Sequence, residues 1–360
     1  MSELSANAAF KSKAHFEILD GLRGVAAMAV VVFHFIEMYT PHPDDLIAHA
    51  YLAVDFFFCL SGFVVAYAYD DRLTQMGLKT FFKQRLVRLH PLVVLGTILG
   101  LLGFIFDPFG NQIEAYSTGK LTLLFFASIL MIPYPIIAER AFNNFGLNAP
   151  AWTLFWEYVA NIVYALVLHR LKRVWLLLLA IVAAAMLFYV SKSAGNISGG
   201  WSKDNFWDGG VRVAFSFLAG MCVFRYQLII KNKLGFPLVA VLLALAFFVP
   251  YRDSWNWITE PLLIVVYFPF LVALGAGTVL NPAHQGICRL SGQLSYPLYI
   301  THYFVLWAFG NYYAQAQPNH QTLAWVIPSL IIGQIIIAYL AMKFYDLPIR
   351  KWLSPKKEEN

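Results

Sequence analysis

An arginine and a histidine, Arg23 and His34, stand in an otherwise apolar run, LDGLRGVAAMAVVVFHF. Their spacing is three helical turns plus about 20°, so both face one side of a helix, roughly 16 Å apart along its axis. An ionisable group at membrane depth costs about 2.5–3.5 kcal/mol and is a functional candidate by default. An imidazole titrating near neutrality is the usual base for deprotonating a hydroxyl, and the arginine fork matches phosphate oxygens. Position alone leaves two readings of each residue. Arg23 is either a snorkelling anchor or a ligand contact, and His34 is either a base or a buried histidine bonded to backbone.

A second histidine, His302, ends the stretch LSYPLYITH, in which Ser295, Tyr299 and His302 form one polar stripe at helical spacing. The stripe reads equally as interhelical glue and as part of a substrate site. Asp55 lies in VDFFFCLSGFVVAYAY, together with Ser61. Glu157 lies in AWTLFWEYVANIVYAL, where Thr153, Glu157 and Asn161 share a face, and Glu37 follows His34 by one turn. Carboxylates accept hydrogen bonds from hydroxyls, and these are expected in the outer half of the membrane, opposite Arg23, Arg85 and Arg88. The basic group Arg72, Lys79, Lys83, Arg85 and Arg88 reads as a topology determinant when taken alone. No GxSxG element is present. Cys59, Cys222 and Cys288 are widely spaced with no metal-ligand pattern, so no metal is expected.

The elements that position these groups follow from composition. Of 360 residues 59% are hydrophobic and 13% charged, about half the charge of a soluble domain, which excludes a water-soluble globule. The +6 net charge fits the positive-inside rule and carries no implication of nucleic acid. Apolar runs near 22–39, 51–69, 89–107, 152–169, 174–190, 211–229, 235–250, 259–280, 294–313 and 323–344 predict ten spans. The run 121–138 is interrupted by Pro133 and Pro135 and is expected to be a short re-entrant or interfacial helix. With that segment not crossing, 20 of the 26 Lys and Arg residues fall inside, leaving Lys120, Arg140, Lys192, Lys203, Arg212 and Arg252 outside. With it crossing, the split is 13 to 13, so the rule favours the first arrangement. The fold class is therefore all-α: a polytopic membrane helix bundle with both termini cytoplasmic. It has a leader over 1–17, a membrane domain over 18–352 and a tail over 353–360. No cleavable signal peptide is expected. The loops 199–210 and 251–257 are rich in tryptophan, as interfacial belts are.

Five motifs in order resemble the acyltransferase 3 family of integral-membrane O-acyltransferases. They are the Arg23/His34 pair; VDFFFCLSGF with Asp55, Ser61 and Gly62; FFKQRLVRLHPL with Arg85, Arg88 and Pro91; APAWTLFWEY; and LSYPLYITH. The resemblance runs from Ile18 to about Trp352 and departs at Thr153, where many members have serine. It implies an acyl-CoA donor, most often acetyl-CoA, used from the cytoplasm. The acceptor it implies is a hydroxyl of a glycan, O-antigen, peptidoglycan or similar molecule outside a bacterial inner membrane. Carried over, His34 is the base or acyl relay, Arg23 with Arg85 and Arg88 holds donor phosphates, and Glu157 and Asp55 orient acceptor or histidine. His302, Tyr299, Trp152, Thr153 and Ser61 remain substrate or oxyanion candidates. Many members carry an appended extracytoplasmic domain; none is expected after Ser354, so an extracytoplasmic partner is a further expectation. A reading from another class is a proton-coupled exporter with Asp55, Glu157, His34 and His302 as relay, although the inverted repeats such a fold uses are not visible.

Overall fold

The computed structural model describes residues 15–40, 46–110 and 112–354. Most of the expected leader and tail, with Lys11, Lys13, Lys356 and Lys357, lies outside the described residues. The described chain is helical, opening with α1 (Glu17–Glu37), α2 (Ala53–Tyr69), α3 (Leu73–Met76), α4 (Leu78–Ile105) and α5 (Thr118–Ile129). Next come α6 (Ala151–Leu166), α7 (Arg173–Ala194), α8 (Phe206–Arg225) and α9 (Gly235–Phe247). A π turn joins α10 (Asn256–Leu262) to α11 (Phe268–Gly277). The chain closes with α12 (Pro282–Thr301), α13 (Tyr303–Ala316), α14 (His320–Ala341) and, after a second π turn, α15 (Leu347–Leu353).

Among the described residues seven helical stretches are long and apolar enough to cross a membrane: α1, α2, α4, α7, α8, α10–α11 and α14–α15. The other expected spans take shorter or broken forms. The run 152–169 becomes α6, of 16 residues, and 235–250 becomes α9, of 13. The run 294–313 is divided between α12 and α13 at His302. There Thr301 Oγ1 donates to the Pro297 carbonyl and His302 Nδ1 bonds the Tyr299 carbonyl, so side chains compete with the backbone ladder where the helix breaks. The run 121–138 yields only the 12-residue α5, capped by Ser117, before the chain turns irregular ahead of its prolines.

Two close helix pairs build the centre. α1 lies along α12 and α2 along α8. Lipid tails are as apolar as leucine, so such pairs gain little from hydrophobicity and rely on small residues that let backbones approach. A Cβ on Gly62 would stand 2.0 Å from the Phe217 carbonyl oxygen, and one on Gly220 would stand 1.8 Å from that of Cys59. α7 turns Leu177, Leu178, Ile181 and Val182 outward, and α14 does the same with Ile332 and Ile336, as a lipid-facing surface requires.

Three arginines counted in the inside–outside charge balance are buried. Arg212, expected among the outer positive residues, is 1% exposed and holds Asp55 with a nearest N–O distance of 2.6 Å. Arg225 holds Asp70 at 2.7 Å. Arg140, also counted outside, lies 4.9, 5.4 and 4.9 Å from the ring centroids of Phe104, Tyr303 and Trp307, and donates to the Gly146 carbonyl at 2.5 Å. Each is an ion pair or cation–π contact screened from water, not a boundary marker.

Candidate functional site

α1, α2, α4, α6 and α12, with the chain from Asp346 to Arg350, enclose a cavity of about 510 Å³. Along α2 its lining runs from Val54 to Val65, about 16 Å at the helical rise. One end is a mouth of five arginines, Arg23, Arg85, Arg88, Arg289 and Arg350. The other end carries Thr153, Tyr299 and the apolar Val54 and Phe57.

Neighbouring acids fix three of the arginines. Glu157 Oε1 accepts from Ser61 Oγ at 2.5 Å, Arg85 Nη2 at 2.6 Å and Asn161 Nδ2 at 3.2 Å. The four-residue spacing on α6 stacks Asn161 one turn from Glu157, so a single carboxylate ties together α2, α4 and α6. Arg23 turns into the bundle: Nη1 donates to Asp20 Oδ1, and Nη2 donates to Ser295 Oγ and the Gly292 carbonyl, all at 3.1 Å. A snorkelling side chain would point its head to water; this one does not. Asp20 also pairs with His15. Arg350 donates to Asp346 at 2.9 Å. Arg88 and Arg289 are exposed at the mouth and hold no hydrogen bond to another described residue. Their donors are available to an anion.

At the far end Thr153 Oγ1 lies 2.8 Å from the Pro150 carbonyl, to which it donates, and 3.1 Å from the Tyr299 hydroxyl. With the threonine proton given to Pro150, Tyr299 is the donor of the second bond. The Phe57 ring meets Tyr299 edge-on at 5.8 Å and 74°. Beyond this wall, His302 Nδ1 bonds the Tyr299 carbonyl at 2.8 Å. That contact makes Nδ1 the donor and leaves Nε2, buried and without a protein partner, as an acceptor. The His34 ring stacks on His302 with centroids 5.4 Å apart and planes within 13°. His34 Nδ1 is hydrogen-bonded to Glu37 on the same helix. The His34 side chain is 29% exposed, so the imidazole is reachable while His302 is sealed.

The sequence-derived candidates therefore fall into three groups. Arg23, Arg85, Arg88, Glu157, Ser61, Thr153 and Tyr299 line one cavity. His34 and His302 form a stacked pair that does not line it and meets it through Tyr299, whose ring lies 6.0 Å from that of His302. Asp55 and Trp152 lie elsewhere: Asp55 gives both oxygens to Arg212, and the Arg212 guanidinium carbon sits 5.3 Å from the Trp152 ring. Glu157, expected with the outer carboxylates, belongs to the arginine-rich cavity, because the long Arg85 side chain reaches it from α4.

Arg289, Arg350 and Asp346 were not picked out from the sequence. Arg289 had a signal: positions 289, 292, 296 and 299 recur at helical spacing, and all four line the cavity. Arg350 and Asp346 had none, since only the turn between α14 and α15 brings them to the mouth. Among the described residues no group of three or more His, Cys, Asp or Glu gathers as a metal site. The arrangement suits an elongated molecule with an anionic head at the arginines and an apolar arm directed at Tyr299.

A family model described as an acyltransferase domain (Acyl_transf_3) matches residues 16–343. The chain is 38% identical over 159 residues to Protein 2 in picA locus of Rhizobium radiobacter, covering 42% of this chain and 81% of that protein. It is 24% identical over 364 residues to the O-acetyltransferase OatA of Staphylococcus aureus, covering 92% of this chain but only 57% of that protein's length. No solved structure matches the chain.

Proposed function

Because this chain belongs to the acyltransferase 3 family, we propose that it is a multi-pass enzyme of a bacterial inner membrane that moves an acyl group, acetyl foremost, from cytoplasmic acyl-CoA to a glycan or glycolipid hydroxyl on the outer face. The observation that carries this reading is a cavity lined by five arginines and an apolar stretch of α2, whose Tyr299 ring lies 6.0 Å from that of His302 in the His34–His302 stack. Under this reading the ten-span arrangement with both termini inside places the mouth toward the cytoplasm. The O-acetyltransferase name of the Staphylococcus aureus relative supports acetyl as the group moved.

In the proposed reaction Arg88 and Arg289 take the donor's phosphates as charge-assisted partners, with Arg23 and Arg85 held behind them by Asp20 and Glu157. The thioester arm lies along α2 with its acyl carbon toward Tyr299. The acceptor oxygen attacks that carbon, a C–O bond forms, and the C–S bond breaks to release the CoA thiolate. His34 takes the hydroxyl proton and returns it to the thiolate, or carries the acyl group across as a transient acyl-imidazole. Glu37, hydrogen-bonded to His34 Nδ1, fixes which ring nitrogen faces the reaction. Asp55 acts at a distance, by holding Arg212 and so the position of α2. An O-antigen, peptidoglycan or secreted glycan hydroxyl meets the acceptor requirement, and an extracytoplasmic partner fits a transfer completed outside.

The test is a host deleted for the gene and complemented with wild type, His34→Ala or Arg88→Ala. Mass spectrometry of surface glycans then reads O-acyl ester. Wild type restores the ester and His34→Ala does not. Equal ester in both removes His34 from the mechanism, and no ester with folded wild-type protein removes the glycan-acylation reading.

A further inference from the structure

Resting on the acyl-CoA reading of the cavity, the geometry points to Phe57 as the residue that sets the length of acyl group this protein accepts. The cavity changes character along its depth. Past the arginine mouth, α2 presents Val64, Ser61, Leu60, Phe57 and Val54, of which only Ser61 is polar, and its hydroxyl is given to Glu157. A thioester arm entering with its acyl end leading therefore meets apolar surface from α2 before it reaches the Tyr299–Thr153 pair.

The wall that stops it has two parts of different stiffness. Tyr299 and Thr153 are pinned: the Tyr299 hydroxyl bonds Thr153 Oγ1 at 3.1 Å, and Thr153 is held in turn by the Pro150 carbonyl at 2.8 Å. Moving either residue strands a buried polar group, which is costly in a dry site. Phe57 has no such tie. It is half-buried, lines the cavity, and completes the wall by placing its ring against the edge of Tyr299. Its neighbour Phe58 is not equivalent. Phe58 is 3% exposed and committed to Trp152, with centroids 6.4 Å apart. Phe57 is thus the part of the end wall that can shrink without unpairing anything. Truncation to alanine vacates the space of about six carbons, and an apolar void of that kind accepts apolar matter in place of water.

The experiment measures binding of acetyl-CoA, butanoyl-CoA, hexanoyl-CoA and free CoA to the purified full-length protein in detergent, by displacement of radiolabelled acetyl-CoA. Wild type is compared with Phe57→Ala and Phe57→Leu. Wild type is expected to favour acetyl-CoA over hexanoyl-CoA by about tenfold or more, since each misfitting methylene costs severalfold or more. Phe57→Ala shifts that ratio toward the long chain by about tenfold, and Phe57→Leu falls between. Free CoA, lacking an acyl group, binds all three alike. If Phe57→Ala does not fold, Phe57→Leu carries the comparison. Variants that bind acetyl-CoA as wild type does, with an unchanged acetyl-to-hexanoyl ratio, overturn the role of Phe57 and leave the donor reading intact. Wild-type protein that binds neither an ester nor free CoA overturns the donor reading itself, a distinct result.

Discussion

The Asp55–Arg212 pair separates architecture from catalysis, since Asp55 carries a family motif yet lies off the cavity. Arg212 Nε donates to both Asp55 oxygens at 3.2 Å, and Nη2 donates to Oδ2 at 2.6 Å and to the Tyr51 carbonyl at 3.3 Å. Nη1 donates to the Gly199 carbonyl at 2.8 Å. Five bonds thus join α8 to α2, to the turn before it and to the loop that precedes α8. With side chains 1% and 0% exposed, neither charge has water to fall back on. Arg212→Ala leaves an uncompensated buried carboxylate and Asp55→Ala an uncompensated guanidinium, each costing about 3–5 kcal/mol. Against a total of about 5–15 kcal/mol, either change removes a large share of the stability. The double variant Asp55→Val/Arg212→Met strands no charge and recovers most of that loss, since apolar replacement of a buried pair is often neutral or better. The assay is thermal unfolding in detergent followed by the ten tryptophans, run beside acyl-ester formation on the same preparations. Both singles are expected to melt well below wild type, and the double to regain melting temperature and ester together. A double variant no more stable than its worse single refutes the energetic argument. A stable double variant without activity refutes the structural assignment of Asp55 and returns it to the chemistry.

Other outcomes follow from the same contacts. Arg88→Ala and Arg289→Ala should each weaken acetyl-CoA binding about tenfold while leaving the melting temperature unchanged, because neither gives a hydrogen bond to the described chain; displacement titration checks this, and the loss should shrink at high salt. Glu157→Gln keeps an acceptor for Ser61 but leaves Arg85 without its counter-charge, so melting temperature and ester formation should fall together, whereas Ser61→Ala should spare stability. Gly62→Ala drives a Cβ into the Phe217 carbonyl and should cost about 1–3 kcal/mol. Gly333→Ala, on α14 with nothing within 4 Å of the added carbon, should be neutral or gain up to about 1 kcal/mol; a paired melting comparison decides both. Arg140→Lys should lose part of the three-ring cation–π contact and lower stability by about 1–2 kcal/mol, with Arg140→Ala lower still.

Much of the candidate cavity's lining was legible because its signals are local. Arg23 and His34 share a helix face whatever surrounds them, and Ser295, Tyr299 and His302 share another. The structure uses both stripes: Arg23 bonds Ser295, Tyr299 bonds Thr153, and His34 stacks on His302. The partner of Glu157 was not legible because sequence locates a Cα along its span but says nothing of which neighbour reaches toward it, and Arg85 reaches from another helix. The partner of Asp55 was unreadable for the same reason, since Arg212 lies 157 positions away. The run at 294–313 read as one helix because hydropathy cannot register side-chain bonds to the Pro297 and Tyr299 carbonyls.

The sequence by itself determined the solvent, the helical class and the positions of the rare charges. Each of these follows from composition and from periodicity within one segment. Only the tertiary structure decided which charges are paired inside the bundle and which are left open at the cavity. Asp55 with Arg212 and Asp70 with Arg225 tie helices together, while Arg88 and Arg289 are left unengaged around an open cavity. The physical reason is that a charge in a low-dielectric interior is defined by what compensates it. That compensation is supplied across helices by long side chains, at separations to which no local pattern extends.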